Sequence, residues 1–234
     1  MNWYLNHFLG EGPGIAKDEP QPIGLRLLAR TIGREWWELI KLNLLFLIFS
    51  LPVVTLPAAY YACVRVSLTM IEDRNVYLWR DFREAFWSRF TTMMFLGAML
   101  AVASGLGFLA VKTYANASLH QIMFAAPLAI AITVSALVPI FAVHLFVAFA
   151  YASDRPVRQI ALAAAFGVLA RPLPGILALA CVAVLWLAHV VFYPASVLLP
   201  VLIIFSLTAL VTTFAVREGV QIGLSATSGE REAK

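Results

Sequence analysis

Long apolar runs alternate along this chain with short stretches rich in arginine. Residues 44–49 are all apolar, Pro52 interrupts the run, and Pro57 stands five residues further on. A proline pushes its predecessor out of the helical region and clashes with the turn before it, so a helix must stop at Pro52. The same residue type suits the first turn of a new helix, as at Pro57. The pattern therefore predicts a helix over about 37–51, a tight turn at Ser50-Leu51-Pro52, and a returning helix over about 57–71. Four later runs predict helices over about 92–111, 122–151, 173–191 and 196–216, with Pro127 and Pro139 as kink points in the second of these. Runs of this length approach the ~20 residues that cross a ~30 Å hydrocarbon core. They lack the alternation of a membrane β-strand. The expected fold is an all-α membrane protein with about six transmembrane helices. A five-helix threading, with 57–71 lying on the surface, is the alternative.

The polar stretches have their own period. From Ile23 onward, Leu25, Leu28, Ile32, Trp36 and Ile40 recur at helical spacing, while Arg26, Arg30 and Arg34 fall elsewhere on the helix. Within 75–90, Trp79, Phe82, Phe86 and Phe90 share a face, and Arg80, Asp81, Arg83 and Glu84 turn away from it. Such segments are expected to lie along the cytoplasmic membrane face. The lead-in from Ile23 and the two surface helices, 75–90 and 157–170, are read this way. Gly97, Ala101 and Gly105 form a small-residue stripe that predicts close approach of another helix. Residues 1–21 read as a flexible polar segment, 22–217 as one helical membrane domain, and 218–234 as a polar, partly disordered tail. The charged stretches that begin Asp73-Arg74-Asn75-Val76 and Asp154-Arg155-Pro156-Val157 echo each other. Duplication explains the echo, and so does the shared grammar of membrane loops.

Composition sharpens the class. Of 234 residues, 62% are hydrophobic and 13% charged, against about 45–50% and about 25% in soluble domains. The excess must face lipid. The start of the chain lacks a basic region followed by an apolar core, so no cleaved signal peptide is expected. The net charge of +4 is small, and its distribution matters more. Arginines and lysines gather in the N-terminal segment, in 72–90, in 153–171 and in the tail, leaving Lys112 alone on the other side. That asymmetry places both termini in the cytoplasm. Each arginine cluster flanks a span, so topology explains it better than nucleic acid does. Cys63 and Cys181 fall in apolar runs and read as packing residues. The four histidines show no ligand spacing. No phosphate-binding loop, nucleophile elbow or zinc-protease helix is present, so no enzyme, metal or cofactor is expected.

Two side chains stand out inside the apolar runs. Arg65 sits in the second predicted helix at about the depth of Asn43 in the first, and it is expected to meet Asn43 or Glu38 inside the hairpin. A substrate or partner contact is the other reading of Arg65. His144, mid-helix, is expected to make an interhelical hydrogen bond, with proton relay or ligand binding as the alternative.

The stretch NLLFLIFSLPVVTLPAA, a helix with one arginine, and VYLWRDFREAF together resemble the YesL family of bacterial integral membrane proteins of unknown function. The residues that carry the resemblance are Asn43-Leu44-Leu45, Ser50-Leu51-Pro52, Pro57-Ala58 and Arg80-Asp81-Phe82. It covers about 37–90 well and the remainder only in hydropathy. The resemblance implies a multi-pass protein of the bacterial inner membrane that assists carbohydrate uptake beside an ATP-driven sugar importer. Ala163-Ala164-Ala165-x-Gly167 is weakly similar to the importer-permease helix that docks on the ATPase. A stand-alone small-solute transporter or channel, with a path past Arg65 and His144, is the second expectation.

Overall fold

A computed structural model describes residues 24–232, with side chains over 24–228. The segment 1–21, expected to be flexible, lies outside the described residues. Among the described residues there are nine α-helices and no strand. They are α1 (Leu25–Arg34), α2 (Trp36–Ser50), α3 (Leu56–Ile71), α4 (Leu78–Ser88), α5 (Phe90–Ser118), α6 (Ala125–Tyr151), α7 (Val157–Ala170), α8 (Pro172–Val191) and α9 (Phe205–Glu232).

The hairpin forms for the reason its prolines suggest. α2 stops at Ser50, Pro52 adopts an extended conformation, and a single 3-10 turn, Val53–Thr55, leads into α3. The Thr55 hydroxyl lies 2.5 Å from the Phe49 carbonyl and 2.7 Å from that of Pro52. It thereby satisfies acceptors that the end of a helix leaves open. The Ser50 hydroxyl bonds back to Leu47 at 3.1 Å. Pro57 falls in the first turn of α3.

Five segments are long and apolar enough to cross a membrane: Val53–Ile71, Phe90–Ser118, Ile122–Tyr151, Pro172–Val191 and Pro200–Ser228. That is the makeup of a multi-pass membrane protein. α2 has 15 residues, or about 22 Å at 1.5 Å per residue, which is short of a full crossing. Far from lying on a surface, α3 is the most enclosed of the five. Ala58, Ala59, Ala62, Cys63 and Ser67 are buried within it, small side chains that let neighbouring helices close in.

Several boundaries differ from the sequence expectation. The outer loop expected at 112–121 is mostly helix, because α5 continues to Ser118. Pro127 sits in the first turn of α6, where a missing N–H costs nothing, and Pro139 lies inside the helix. The last predicted helix starts later, after a π-helical turn at Pro200–Ile204, and runs much further. The tail expected to be partly disordered is helical through Glu232. Its inner face is buried because Gly219 and Gly223 let α7 approach backbone to backbone. A Cβ on Gly167 would stand 2.8 Å from the Gly219 carbonyl oxygen, and one on Gly223 would strike the Ala163 carbonyl. Ala163 and Ala164 are therefore covered by the chain itself, and this face of α7 is not open to a partner as expected.

The predicted stripe on α5 is also redistributed. Gly97 meets the Pro57 ring and Gly107 meets Ser135 on α6, whereas a Cβ on Gly105 would find nothing within 4 Å. Gly105→Ala should thus stabilise the protein slightly, by about 0.5–1 kcal/mol from helix propensity. A higher melting temperature in detergent checks this, and a fall would place an unseen neighbour at Gly105.

Candidate functional site

α4 begins where the Asp81 carboxylate accepts the Tyr77 N–H at 2.9 Å, closing the first turn. Asp81 also accepts from Arg80 Nε at 3.2 Å. The apolar side of α4 carries Phe82 and Phe86, both buried. The Phe49 ring, from the last turn of α2, meets them edge-on, with centroids 5.2 Å from Phe82 and 4.9 Å from Phe86. Such aromatic pairs add about 0.5–1.5 kcal/mol each beyond area burial. Protein, rather than lipid headgroups, thus covers the apolar face of α4. The helical period assigns Trp79 to that face, but it and Trp87 are more than half exposed, at 57% and 61%.

Folding α4 back along the hairpin opens a cleft of about 440 Å³ between α3, α4 and the turn after α6. Four arginines line it, Arg65, Arg74, Arg80 and Arg89, with three carboxylates, Asp81, Glu84 and Asp154. Tyr61 and Thr69 of α3 complete the wall. The Arg65 guanidinium donates to the Ala150 carbonyl, one of the acceptors that the last turn of α6 leaves open. A cation at a helix C-terminus also complements the helix dipole.

Residues 39–111 match the model of a family described as "Protein of unknown function, DUF624". The matched stretch holds most of α2, all of α3 and α4, and all of the cleft lining except Ser153 and Asp154. No curated protein and no solved structure matches the chain.

The expected meeting of Arg65 with Asn43 or Glu38 does not occur. Glu38 pairs with Lys41 on its own helix. Asn43, fully buried, fastens α2 to the π-helical turn before α9. Its Nδ2 donates to the carbonyls of Pro200 at 2.9 Å and Val201 at 2.7 Å, and its Oδ1 accepts the Ser206 N–H at 3.0 Å. A change of helical pitch leaves backbone donors and acceptors without their usual partners, and an amide side chain can serve both kinds. Equal distance of Asn43 and Arg65 from the hairpin turn does not fix which way each side chain points.

The candidate residues therefore separate. Arg65, Arg80 and Asp81 line the cleft, and Phe82 backs the helix that carries two of them. Asn43, Ser50, Pro52 and Pro57 build the hairpin and its seam with α9. His144 lies elsewhere, fully buried. Its Nδ1 contacts the Ile140 carbonyl of its own helix at 2.8 Å, in place of the expected interhelical bond. Its Nε2 has no partner among the described residues. Gly175 crowds the ring, since a Cβ there would come within 2.9 Å of it. Arg74, Glu84, Arg89 and Asp154 do not stand out as site residues in the sequence. A signal for two of them exists: the echoing stretches at 73–76 and 154–157 bring Arg74 and Asp154 to the same cleft.

One polar clasp holds the lead-in. Arg34, at the end of α1, pairs with Asp73 and donates to the Met70 carbonyl at 2.9 Å. Both side chains of the pair are substantially exposed, so the pair is worth little. Arg34→Ala should lower stability by no more than about 1 kcal/mol. A thermal melt checks this, and a loss several times larger would show that the clasp anchors the fold.

Proposed function

We propose that this chain is a YesL-type protein of the bacterial inner membrane that acts as a non-enzymatic accessory to carbohydrate uptake. Its partners on this reading are the lipid bilayer and an ATP-driven sugar importer. Both termini lie in the cytosol, following the arginine distribution. α2 then makes a sixth, shortened crossing, and local thinning of the bilayer absorbs the mismatch. The observation that carries the docking role is the mounting of α4. Phe49, Phe82 and Phe86 hold it rigidly, while Trp79, Arg83, Glu84 and Trp87 stay exposed. Tryptophan and arginine on a fixed scaffold are the residue types that dominate binding at interfaces. The resemblance supplies the importer as the partner.

The test is a pull-down in mild detergent from a strain that carries the importer. Importer subunits should be recovered stoichiometrically with the native chain. Arg83→Ala, at an exposed position with no ion pair among the described residues, should release them without changing the melting temperature. Recovery of the chain alone would end the accessory reading. A second reading, a stand-alone transporter or channel, is favoured by one feature: the cleft reaches Arg65, on a helix long enough to span. Solute flux through liposomes that contain only this protein would establish it.

A further inference from the structure

We propose that the cleft beside Tyr61 binds a zwitterion that joins a phosphate to an amine, as in a phosphoethanolamine group. This inference stands apart from the accessory role, and a failed pull-down leaves it untouched. It rests on which charges in the cleft are already spent. Arg80 is paired with Asp81, and Arg74 with Glu72. Arg65 and Arg89 make no ion pair among the described residues, and neither do Glu84 and Asp154. All four line one cavity. Two unspent guanidiniums and two unspent carboxylates thus face a shared space.

A simple anion would satisfy the guanidiniums and be repelled by Glu84 and Asp154. A simple cation would meet the reverse difficulty. A ligand bearing both signs meets neither. The anionic end is better matched by phosphate than by carboxylate. Each guanidinium carries five N–H donors in a planar fork. Arg65 uses part of its fork on the Ala150 carbonyl, and the remaining donors of the two arginines outnumber the two oxygens of one carboxylate. A phosphate monoester presents three terminal oxygens, a lipid phosphodiester two terminal and two ester oxygens, and both make short, charge-assisted bonds with arginine. At the cationic end, a primary ammonium can donate hydrogen bonds to Glu84 and Asp154, which a quaternary ammonium cannot. A cavity of about 440 Å³ lies within the ordinary range for small-ligand sites. The group could come from a membrane lipid headgroup or from a free phosphoethanolamine.

The experiment uses the full chain in detergent. Native mass spectrometry is run after exchange into micelles holding equal amounts of phosphatidylethanolamine, phosphatidylcholine and phosphatidylglycerol. Calorimetric titration with free phosphoethanolamine runs in parallel. Retention of phosphatidylethanolamine several-fold above the other two lipids assigns the site to a headgroup. Binding of free phosphoethanolamine without lipid preference assigns it to the soluble group. In either case Arg89→Gln should weaken binding about tenfold. Glu84→Gln should erase the lead of phosphatidylethanolamine over phosphatidylglycerol where the headgroup is the ligand, and should weaken free phosphoethanolamine about tenfold where the soluble group is. Glu84 is exposed and makes no ion pair among the described residues, so this variant should fold and melt as the native chain does. If neither probe binds, or if both variants bind as the native chain does, the proposal is overturned.

Discussion

Asn43→Leu is expected to remove most of the folded protein from membranes and to lower the melting temperature of what remains. Leucine keeps the branching of the amide, but its methyl groups are bulkier than the amide atoms and add an overpacking cost at the same seam. What it removes is the set of hydrogen bonds to Pro200, Val201 and Ser206. The site is fully buried, so water cannot replace them. A buried group left without a partner costs about 1–3 kcal/mol, although interhelical bonds in membrane proteins average nearer about 0.6 kcal/mol. Three groups lost at one seam should together cost about 2–4 kcal/mol. Asn43→Asp keeps the acceptor for Ser206 but loses the donors and buries a carboxylate, so it should rescue nothing. Melting and membrane yield equal to the native chain would show that the α2–α9 seam is not held by this amide.

Gly223→Val should have a comparable effect by the opposite route, adding atoms where none fit. The new Cβ would land on the Ala163 carbonyl, a backbone atom that cannot swing aside. α7 and α9 must then separate, at about 1–3 kcal/mol for an overpacked contact. The separation would also strain the bond from Arg155 to the Leu224 carbonyl and the pair between Arg171 and Glu218. Limited proteolysis should cut within 217–232 of the variant while the native helix resists. A native melting temperature with a protected helix would mean that the two backbones are not in contact.

The hairpin is legible in the sequence because its signals are local. Pro52 and Pro57 act on their immediate neighbours, and the predicted helices fall within about a residue of α2 and α3. The end of α6 and both ends of α8 are likewise legible to within a residue. The carboxyl helix is not, because polarity reads as looseness while the burial of Gly219 and Gly223 depends on a helix more than fifty residues earlier in the chain. Gly97 and Gly105 show the same limit: a stripe of small residues predicts close approach but not which member is approached. At the site, the period of 75–90 locates α4 and correctly places Phe82 and Phe86 on its apolar face. What covers that face is hidden from the pattern, because Phe49 belongs to another helix. Arg65 is visible as an expensive residue in an apolar run, yet its partner is a helix terminus, and sequence spacing does not reveal which carbonyls are left open in space.

Labelling of single cysteines in whole cells tests the central claim most directly. α5, at 29 residues, is about 43 Å long, enough to carry the chain from one side of a bilayer to the other. In a background with Cys63 and Cys181 replaced by alanine, an impermeant maleimide should label His120→Cys in intact cells. Glu84→Cys and Ser225→Cys should react only after the cells are opened, which would place the cleft and the carboxyl helix together on the cytosolic side. Labelling of Glu84→Cys and Ser225→Cys from opposite sides, or of His120→Cys from the same side as Glu84→Cys, would contradict the account.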